Sequence, residues 1–220
     1  AAGEEWDECV QFCIQKNLAG VECLSGIPGL VGATPMQNVG AYGQEVSETI
    51  VEVKAIERAT LDEVRFTNAD CRFAYRRSRF NSDDANRFII IEVTFRLQEF
   101  GEPEIRYPEL KRFAEVNVDF QELKSGRERL QGVRDSVLAL RRKKSMVIDA
   151  GDADSRSVGS FFKNAILSPK DFQRCEEKAR AENSSAVVPT FSAGESVKVP
   201  AAWLVENAGY RKGFRKGGVG

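Results

Sequence analysis

The sequence predicts an α+β fold on three observations. Trp6, Val10, Cys13 and Ile14 recur at helical spacing, and Leu130, Val133, Val137 and Leu140 repeat that pattern later in the chain. Between them, Val51, Val53 and Ala55 alternate with Glu52 and Lys54 as a half-buried strand does. A chain of 220 residues can hold one large domain or two small ones. The polar run from Asp149 to Ser157 is the candidate boundary, giving domains at 1–148 and 149–220.

The first helix is expected over 4–18, with acids in its opening turn and Gly20 as its stop. From 24 to 44, five glycines and two prolines exclude a regular helix or central strand. Ala59 to Asp62 reads as a turn into a strand near Val64 to Thr67. The clearest strand is Phe88 to Leu97, whose Ile89, Ile91, Val93, Phe95 and Leu97 are predicted to share one face. Asn81 to Asn86 is polar and expected to be an exposed loop. A helix from Arg127 to Lys143 ends in four cations, which complement a helix C-terminus. Ser168-Pro169 opens another helix as N-cap and first-turn residue, and a short one over Ala201 to Asn207 stops at Gly209.

Composition narrows the chemistry. With 42% hydrophobic and 30% charged residues the chain is expected to be globular, and no run reaches the roughly 18 apolar residues of a membrane helix. A soluble, cytoplasmic protein is therefore expected. The first residues read as folded-domain sequence, with no signal peptide and no initiator Met. The sequence contains no His, so a Ser-His-Asp or Cys-His catalytic group cannot be built from it. Without His or a Cys-x-x-Cys pair, no metal site is expected, and the five cysteines read as small reduced hydrophobes. Residues 1–57 hold 9 acids and 2 bases, whereas 58–220 hold 24 acids and 30 bases. That asymmetry suggests an anionic ligand for the later region; nucleic acid would call for a stronger positive balance.

Three segments could carry chemistry. Ser25-Gly26-Ile27-Pro28-Gly29-Leu30-Val31-Gly32-Ala33-Thr34-Pro35 exposes backbone N–H groups that can approach a pyrophosphate or a flat ring. Its spacing matches neither a dinucleotide fingerprint nor a Walker loop, so on spacing alone a plain turn is the simpler explanation. Tyr75-Arg76-Arg77-Ser78-Arg79 sets three guanidinium groups beside an aromatic, suited to carboxylate or phosphate, or else a solvated surface loop. Gly159-Ser160-Phe161-Phe162-Lys163-Asn164 couples a hydroxyl, two rings, a cation and an amide, although a Ser after Gly is usually a turn or cap residue.

Taken together, Gly26-Ile27-Pro28-Gly29, the run Gly32 to Gly43, Cys71-Arg72-Phe73-Ala74-Tyr75-Arg76 and Gly159 to Asn164 resemble the UDP-N-acetylenolpyruvoylglucosamine reductase (UDP-N-acetylmuramate dehydrogenase) family. The motifs occur in order over essentially the whole chain. The resemblance implies a vanillyl-alcohol-oxidase-type FAD-binding domain at 1–148 and an α+β substrate-binding domain at 149–220. It implies NADPH-dependent, FAD-mediated reduction of UDP-N-acetylglucosamine enolpyruvate to UDP-N-acetylmuramate for peptidoglycan, by a monomer. Pro28, Gly29, Gly32, Ala33, Thr34, Gln37, Asn38, Gly40, Tyr42 and Gly43 would line the FAD. Arg76 would stabilise the substrate carboxylate as charge spreads onto it, and Ser160 would give a proton to the neighbouring carbon. Tyr75, Tyr107, Lys144 and Asn164 would hold the substrate.

Members of that family begin earlier, with a strand-and-glycine segment for the FAD pyrophosphate, and continue past Gly218 to a glutamate that assists reduction. This chain is therefore expected to be a fragment lacking both ends, possessing the fold but not necessarily turnover. Ala165 stands where Pro is common, and Glu206-Asn207 where an acid and Gln are common. The alternatives are a non-catalytic flavin- or nucleotide-binding fragment and another flavin oxidase of the same fold. The absence of a His for covalent flavin attachment weighs against the latter.

Overall fold

A computed structural model describes residues 1–152, 154–155, 162–211 and 213–217. The chain forms two compact units, Ala1–Ser157 and Val158–Gly220. Its helices and wholly antiparallel sheets make it an α+β fold, as the sequence predicts.

In the first unit, α1 (Trp6–Gln15) buries Trp6, Val10, Cys13 and Ile14. The helix is shorter than expected because Asn17, with φ +58°, takes the left-handed stop that Gly20 was expected to supply. The Trp6 indole N–H donates to the Leu24 carbonyl at 3.0 Å, joining the helix to the start of the glycine-rich stretch. That stretch is irregular apart from a 3-10 turn at Val31–Ala33. Two short strands close it off, β1 (Leu18–Ala19) before it and the hairpin pair β2 (Gly40–Ala41) and β3 (Gln44–Glu45) at its end.

The main sheet has β4 (Ile50–Glu57) at its centre, flanked by β5 (Glu63–Thr67) and β6 (Phe88–Phe95). Val53 and Ala55 are fully buried on β4, as their alternation requires, whereas a register shift between Ile50 and Glu52 takes Val51 out of that face and Ile50 is buried instead. On β6 the expected face is broken. Lys54 pairs with Glu92 but Ala55 pairs with Ile90, so Ile91 is the extra residue of a β-bulge. One inserted residue flips the alternation, sending Ile89 to solvent at 48% exposure while Phe88 and Ile90 join Val93, Phe95 and Leu97 against the core. The Ile91 carbonyl accepts from the Ala2 N–H at 2.9 Å. Strand β7 (Gln98–Glu99) then pairs with β1.

Helix α2 (Pro108–Asn117) was not expected, although Pro108 occupies the first-turn position that proline favours. It buries Leu110 and Ala114 one turn apart. Helix α3 (Gly126–Arg142) starts from a reciprocal capping box between Ser125 and Glu128. Cys23, Leu110, Val133, Val137 and Leu140 form a second core between these helices and the segment before the glycine-rich loop.

In the second unit, β8 (Ala165–Leu167), β9 (Phe191–Ala193) and β10 (Ser196–Val199) form a sheet in the order β8-β10-β9. These strands have no counterpart in the sequence reading. Helix α4 (Pro169–Glu182) begins where Ser168-Pro169 predicts, with the Ser168 hydroxyl accepting from the Asp171 N–H. Helix α5 (Ala201–Asn207) follows β10 and ends before Gly209.

One ion pair ties the first helix to the third. The Asp7 carboxylate accepts from both Arg134 Nη atoms at 2.6 and 2.7 Å and from the Gly26 N–H at 2.6 Å. Burial alone would raise the Asp7 pKa, but the Arg134 and Gly26 hydrogen bonds more than offset it and hold the carboxyl below its ordinary range. Arg134 is buried, whereas the Asp7 side chain is 38% exposed, which weakens the pair by screening. Asp7→Asn should therefore cost about 1–3 kcal/mol at pH 7, less than breaking a fully buried pair. A depressed carboxyl stabilises above its unfolded pKa and ceases to do so as pH falls through the folded one. Urea titrations should thus show the wild-type advantage over Asp7→Asn at neutral pH shrinking below about pH 4, into the range where carboxylates protonate; a pH-independent gap would contradict this linkage.

Candidate functional site

The glycine-rich loop and the arginine-bearing turn, 36 or more residues apart in sequence, meet around Asn38. Asn38 is 1% exposed and has φ +47°. Its Nδ2 donates to Glu45 Oε2 at 2.7 Å and to the Ala74 carbonyl at 3.2 Å, and its Oδ1 accepts from the Ser47 N–H at 3.1 Å. Two acceptors at one end and a donor at the other fix the orientation of the amide.

Ala74 to Arg77 form a tight turn, closed by reciprocal backbone hydrogen bonds of 2.9 and 3.0 Å. Arg76 is its third residue, with φ +53°, a position that favours Gly or Asn. A large side chain held there is a local cost that points to a use for the side chain. The Arg76 guanidinium donates to the Asn38 carbonyl at 3.4 Å and to the Gly40 carbonyl. It also lies 5.3 Å from the centre of the Tyr75 ring. A Cβ on Gly40 would come within 2.8 Å of Glu45 Cγ, 3.0 Å of the Gln44 carbonyl and 3.1 Å of Arg76 Nη1, so a side chain here would have to displace Glu45 or Arg76.

The loop is braced at both ends. Its start is held by Asp7 on Gly26. Its end is held by Gln44, whose Oε1 accepts from the Cys23 N–H and whose Nε2 donates to the buried Glu22 carboxylate. Thr34 is likewise buried, its hydroxyl donating to the Val31 carbonyl. The side chains of Thr34 and Asn38 are thus committed inside the protein, and what they offer a ligand is backbone. Gly32 packs against Ala2 and donates to its carbonyl. Pro28, Gly29, Ala33, Gln37 and Gly43 lie on the exposed side. Gly29 has φ +110° and open space where a Cβ would project, leaving bare backbone that a flat ring can approach.

A second group sits at the β2–β3 turn. Tyr42, φ +47°, meets Tyr107 edge to face with ring centres 5.6 Å apart. Lys144 forms a 2.8 Å ion pair with Glu109. Burial disfavours the Lys144 ammonium, but the Glu109 contact more than offsets this, so the cation is held above its ordinary range. Burial also raises the Tyr42 phenol, which Lys144 and Arg141 only partly counter. Arg141 Nε is buried without a hydrogen-bond partner, while its Nη2 donates to the Met146 carbonyl. Tyr42, Tyr107 and Lys144, predicted from different segments, therefore share one neighbourhood rich in positive charge.

In the second unit, Asn164 Oδ1 accepts from the Ala201 N–H at 3.0 Å, capping α5. Ser160 lies outside the described residues. The sequence reading missed Asp7, Glu22, Glu45, Glu109 and Arg134 as braces, since nothing in their local pattern announces partners so far away. A depression lined by Glu115 to Gln121 contains none of the predicted site residues. Among the described residues there is no cluster of metal ligands, and no helix is long and apolar enough to cross a membrane.

Comparison with known proteins gives the geometry its context. The UDP-N-acetylenolpyruvoylglucosamine reductase of Thermobifida fusca is 47% identical over 224 aligned residues, covering 100% of this chain. The chain is homologous along its whole length to UDP-N-acetylenolpyruvoylglucosamine reductases. The protein of that name from Streptomyces coelicolor is 44% identical over 99% of the chain, and that from Mycobacterium tuberculosis 44% over 99%. The chain spans 60%, 56% and 58% of the lengths of these three reductases. The crystal structure of the reductase from Thermus caldophilus aligns with 90% of this chain and 59% of its own, at 19% identity and a TM-score of 0.48. No family model matches the chain.

The Asn38 network predicts an order of variants. Asn38→Ala should destabilise the protein by about 1–3 kcal/mol by stranding buried polar groups. Asn38→Asp should cost more at pH 7, since it turns an oxygen toward Glu45 and the Ala74 carbonyl. Chemical denaturation of the two variants checks the order, and an Asn38→Asp variant as stable as wild type would contradict the assignment of the amide.

Proposed function

We propose that this chain is the flavin- and substrate-handling part of a UDP-N-acetylenolpyruvoylglucosamine reductase, reducing UDP-N-acetylglucosamine enolpyruvate to UDP-N-acetylmuramate in peptidoglycan synthesis. The observation that carries this reading is the joining of the glycine-rich loop to Tyr75-Arg76 through Asn38, both motifs being those that the resemblance assigns to the reaction. The 47% identity over the whole chain supports it.

The exposed backbone at Gly29 and the preorganised run to Gly43 fit a flat, phosphate-bearing cofactor, so FAD is the group this loop would hold. When bound, it would supply hydride chemistry, with NADPH as the electron source. Arg76 would bind the substrate carboxylate and carry its growing charge as the neighbouring carbon gains electrons. Its guanidinium is already held by two carbonyls, so little reorganisation is needed when the carboxylate arrives. Tyr107, Lys144 and Arg141 would receive the nucleotide end of the substrate, where an aromatic ring suits a base and cations suit a diphosphate, with Tyr42 of the flavin-lining run packed edge to face on Tyr107. The roles of Ser160 as proton donor and of Asn164 in holding substrate rest on the motif resemblance, with a cytoplasmic location implied by the same reading.

The test is a split of the two half-reactions in the full-length protein. Ser160→Ala should leave flavin bleaching by NADPH within about twofold, whereas reoxidation by the enolpyruvyl substrate slows by at least about a hundredfold. Stopped-flow traces in which both phases slow alike would remove Ser160 from the chemistry. A protein that binds no flavin and oxidises no NADPH would remove the reading itself.

A further inference from the structure

We propose that Glu45 is the positioning residue that aims Arg76, acting through the Asn38 side chain; this rests on the reading of Arg76 as the residue that binds the substrate carboxylate. Nothing in the local sequence marks Glu45, which lies 31 positions from Arg76.

Three observations carry the assignment. First, Glu45 Oε2 accepts the shorter of the two hydrogen bonds donated by Asn38 Nδ2, at 2.7 Å against 3.2 Å for the Ala74 carbonyl. It is a charge-assisted bond, the stronger kind. Second, Asn38 contributes to both halves of the Arg76 setting. Its Nδ2 holds Ala74, the first residue of the turn bearing Arg76, and the backbone carbonyl of the same residue receives the guanidinium. Third, Glu45 pairs directly with Gly40 across the β2–β3 hairpin, and the Gly40 carbonyl is the other acceptor of the guanidinium. Glu45 therefore reaches Arg76 by two short routes, one through the Asn38 amide and one through the hairpin. Without the carboxylate oxygen, Nδ2 would keep only the longer bond, to the Ala74 carbonyl.

A direct electrostatic role for the Glu45 charge makes the opposite prediction for two conservative variants. Glu45→Gln keeps an acceptor oxygen at the same reach without the charge. Glu45→Asp keeps the charge but withdraws it by one methylene. Positioning through the hydrogen bond requires that Glu45→Gln resemble wild type and that Glu45→Asp resemble Glu45→Ala; a charge role requires the reverse.

The readout is the binding preference of the full-length, flavin-loaded protein for UDP-N-acetylmuramate, which carries the carboxylate, over UDP-N-acetylglucosamine, which does not. Calorimetric titration gives both dissociation constants without turnover. Wild type should prefer the carboxylate compound, and Arg76→Ala should abolish that preference. Glu45→Ala and Glu45→Asp should reduce it about tenfold while leaving UDP-N-acetylglucosamine affinity unchanged, and Glu45→Gln should restore it. Adding Glu45→Ala to Arg76→Ala should cost nothing further. Should Glu45→Ala fail to fold, the Asp and Gln pair decides alone. Full preference in Glu45→Asp, or its loss in Glu45→Gln, overturns the positioning role while Arg76→Ala still shows the carboxylate reading to be right. No preference in wild type, or none lost in Arg76→Ala, overturns that reading and the positioning role with it.

Discussion

The Asn38 carboxamide is the point on which the candidate site depends. It is buried, left-handed and hydrogen-bonded at both ends, so the glycine-rich loop and the hairpin that follows it are held in one arrangement with the distant turn that carries Arg76. A buried amide is costly unless every polar atom is satisfied, and when satisfied it admits few alternatives. The glycine-rich loop, the β2–β3 hairpin and the turn carrying Arg76 can each move only if that amide lets go. Gly40 completes the arrangement from the other side, since any side chain there would push Glu45 or Arg76 aside.

The loop gains its shape from braces at its margins more than from regular structure within it. Asp7, itself held by Arg134, accepts from the Gly26 N–H near its start, and Glu22 holds the Gln44 that follows its last turn. Those braces come from α1, α3 and the segment between α1 and the loop, elements built on ordinary apolar stripes. A glycine-rich segment loses a large conformational entropy on ordering. Placing charged side chains at its ends concentrates the ordering where glycine backbone alone cannot supply it, and the exposed stretch around Gly29 stays bare for a ligand.

Much of this fold was legible because its elements obey local rules. The α1 stripe, the Val53–Ala55 alternation, the cap at Ser168 and the stops around Asn207 each depend on near neighbours. The misreadings have physical causes. Ile91 bulges, and one extra residue inverts the face of everything before it on β6. Helix α2 shows only two buried positions, Leu110 and Ala114, too few for a periodic signal to stand out. Strands β8 and β9 are three residues long, shorter than any alternation test can use. In the site, glycine density marked the loop and clustered arginines marked the turn. The residues that join them, Asn38 through its side chain, Glu45 and Ala74, gave no sign, because a tertiary hydrogen bond leaves no trace in spacing.

The most direct test of the Asn38-centred arrangement is a crystal structure of the full-length, flavin-loaded protein with UDP-N-acetylmuramate bound. The expected result is that the ligand carboxylate lies about 3 Å from the Arg76 guanidinium, which still donates to the Asn38 and Gly40 carbonyls, with the Asn38 amide still on Glu45 and Ala74. A carboxylate held by other residues, with Arg76 turned away and the Asn38 amide released, would contradict it.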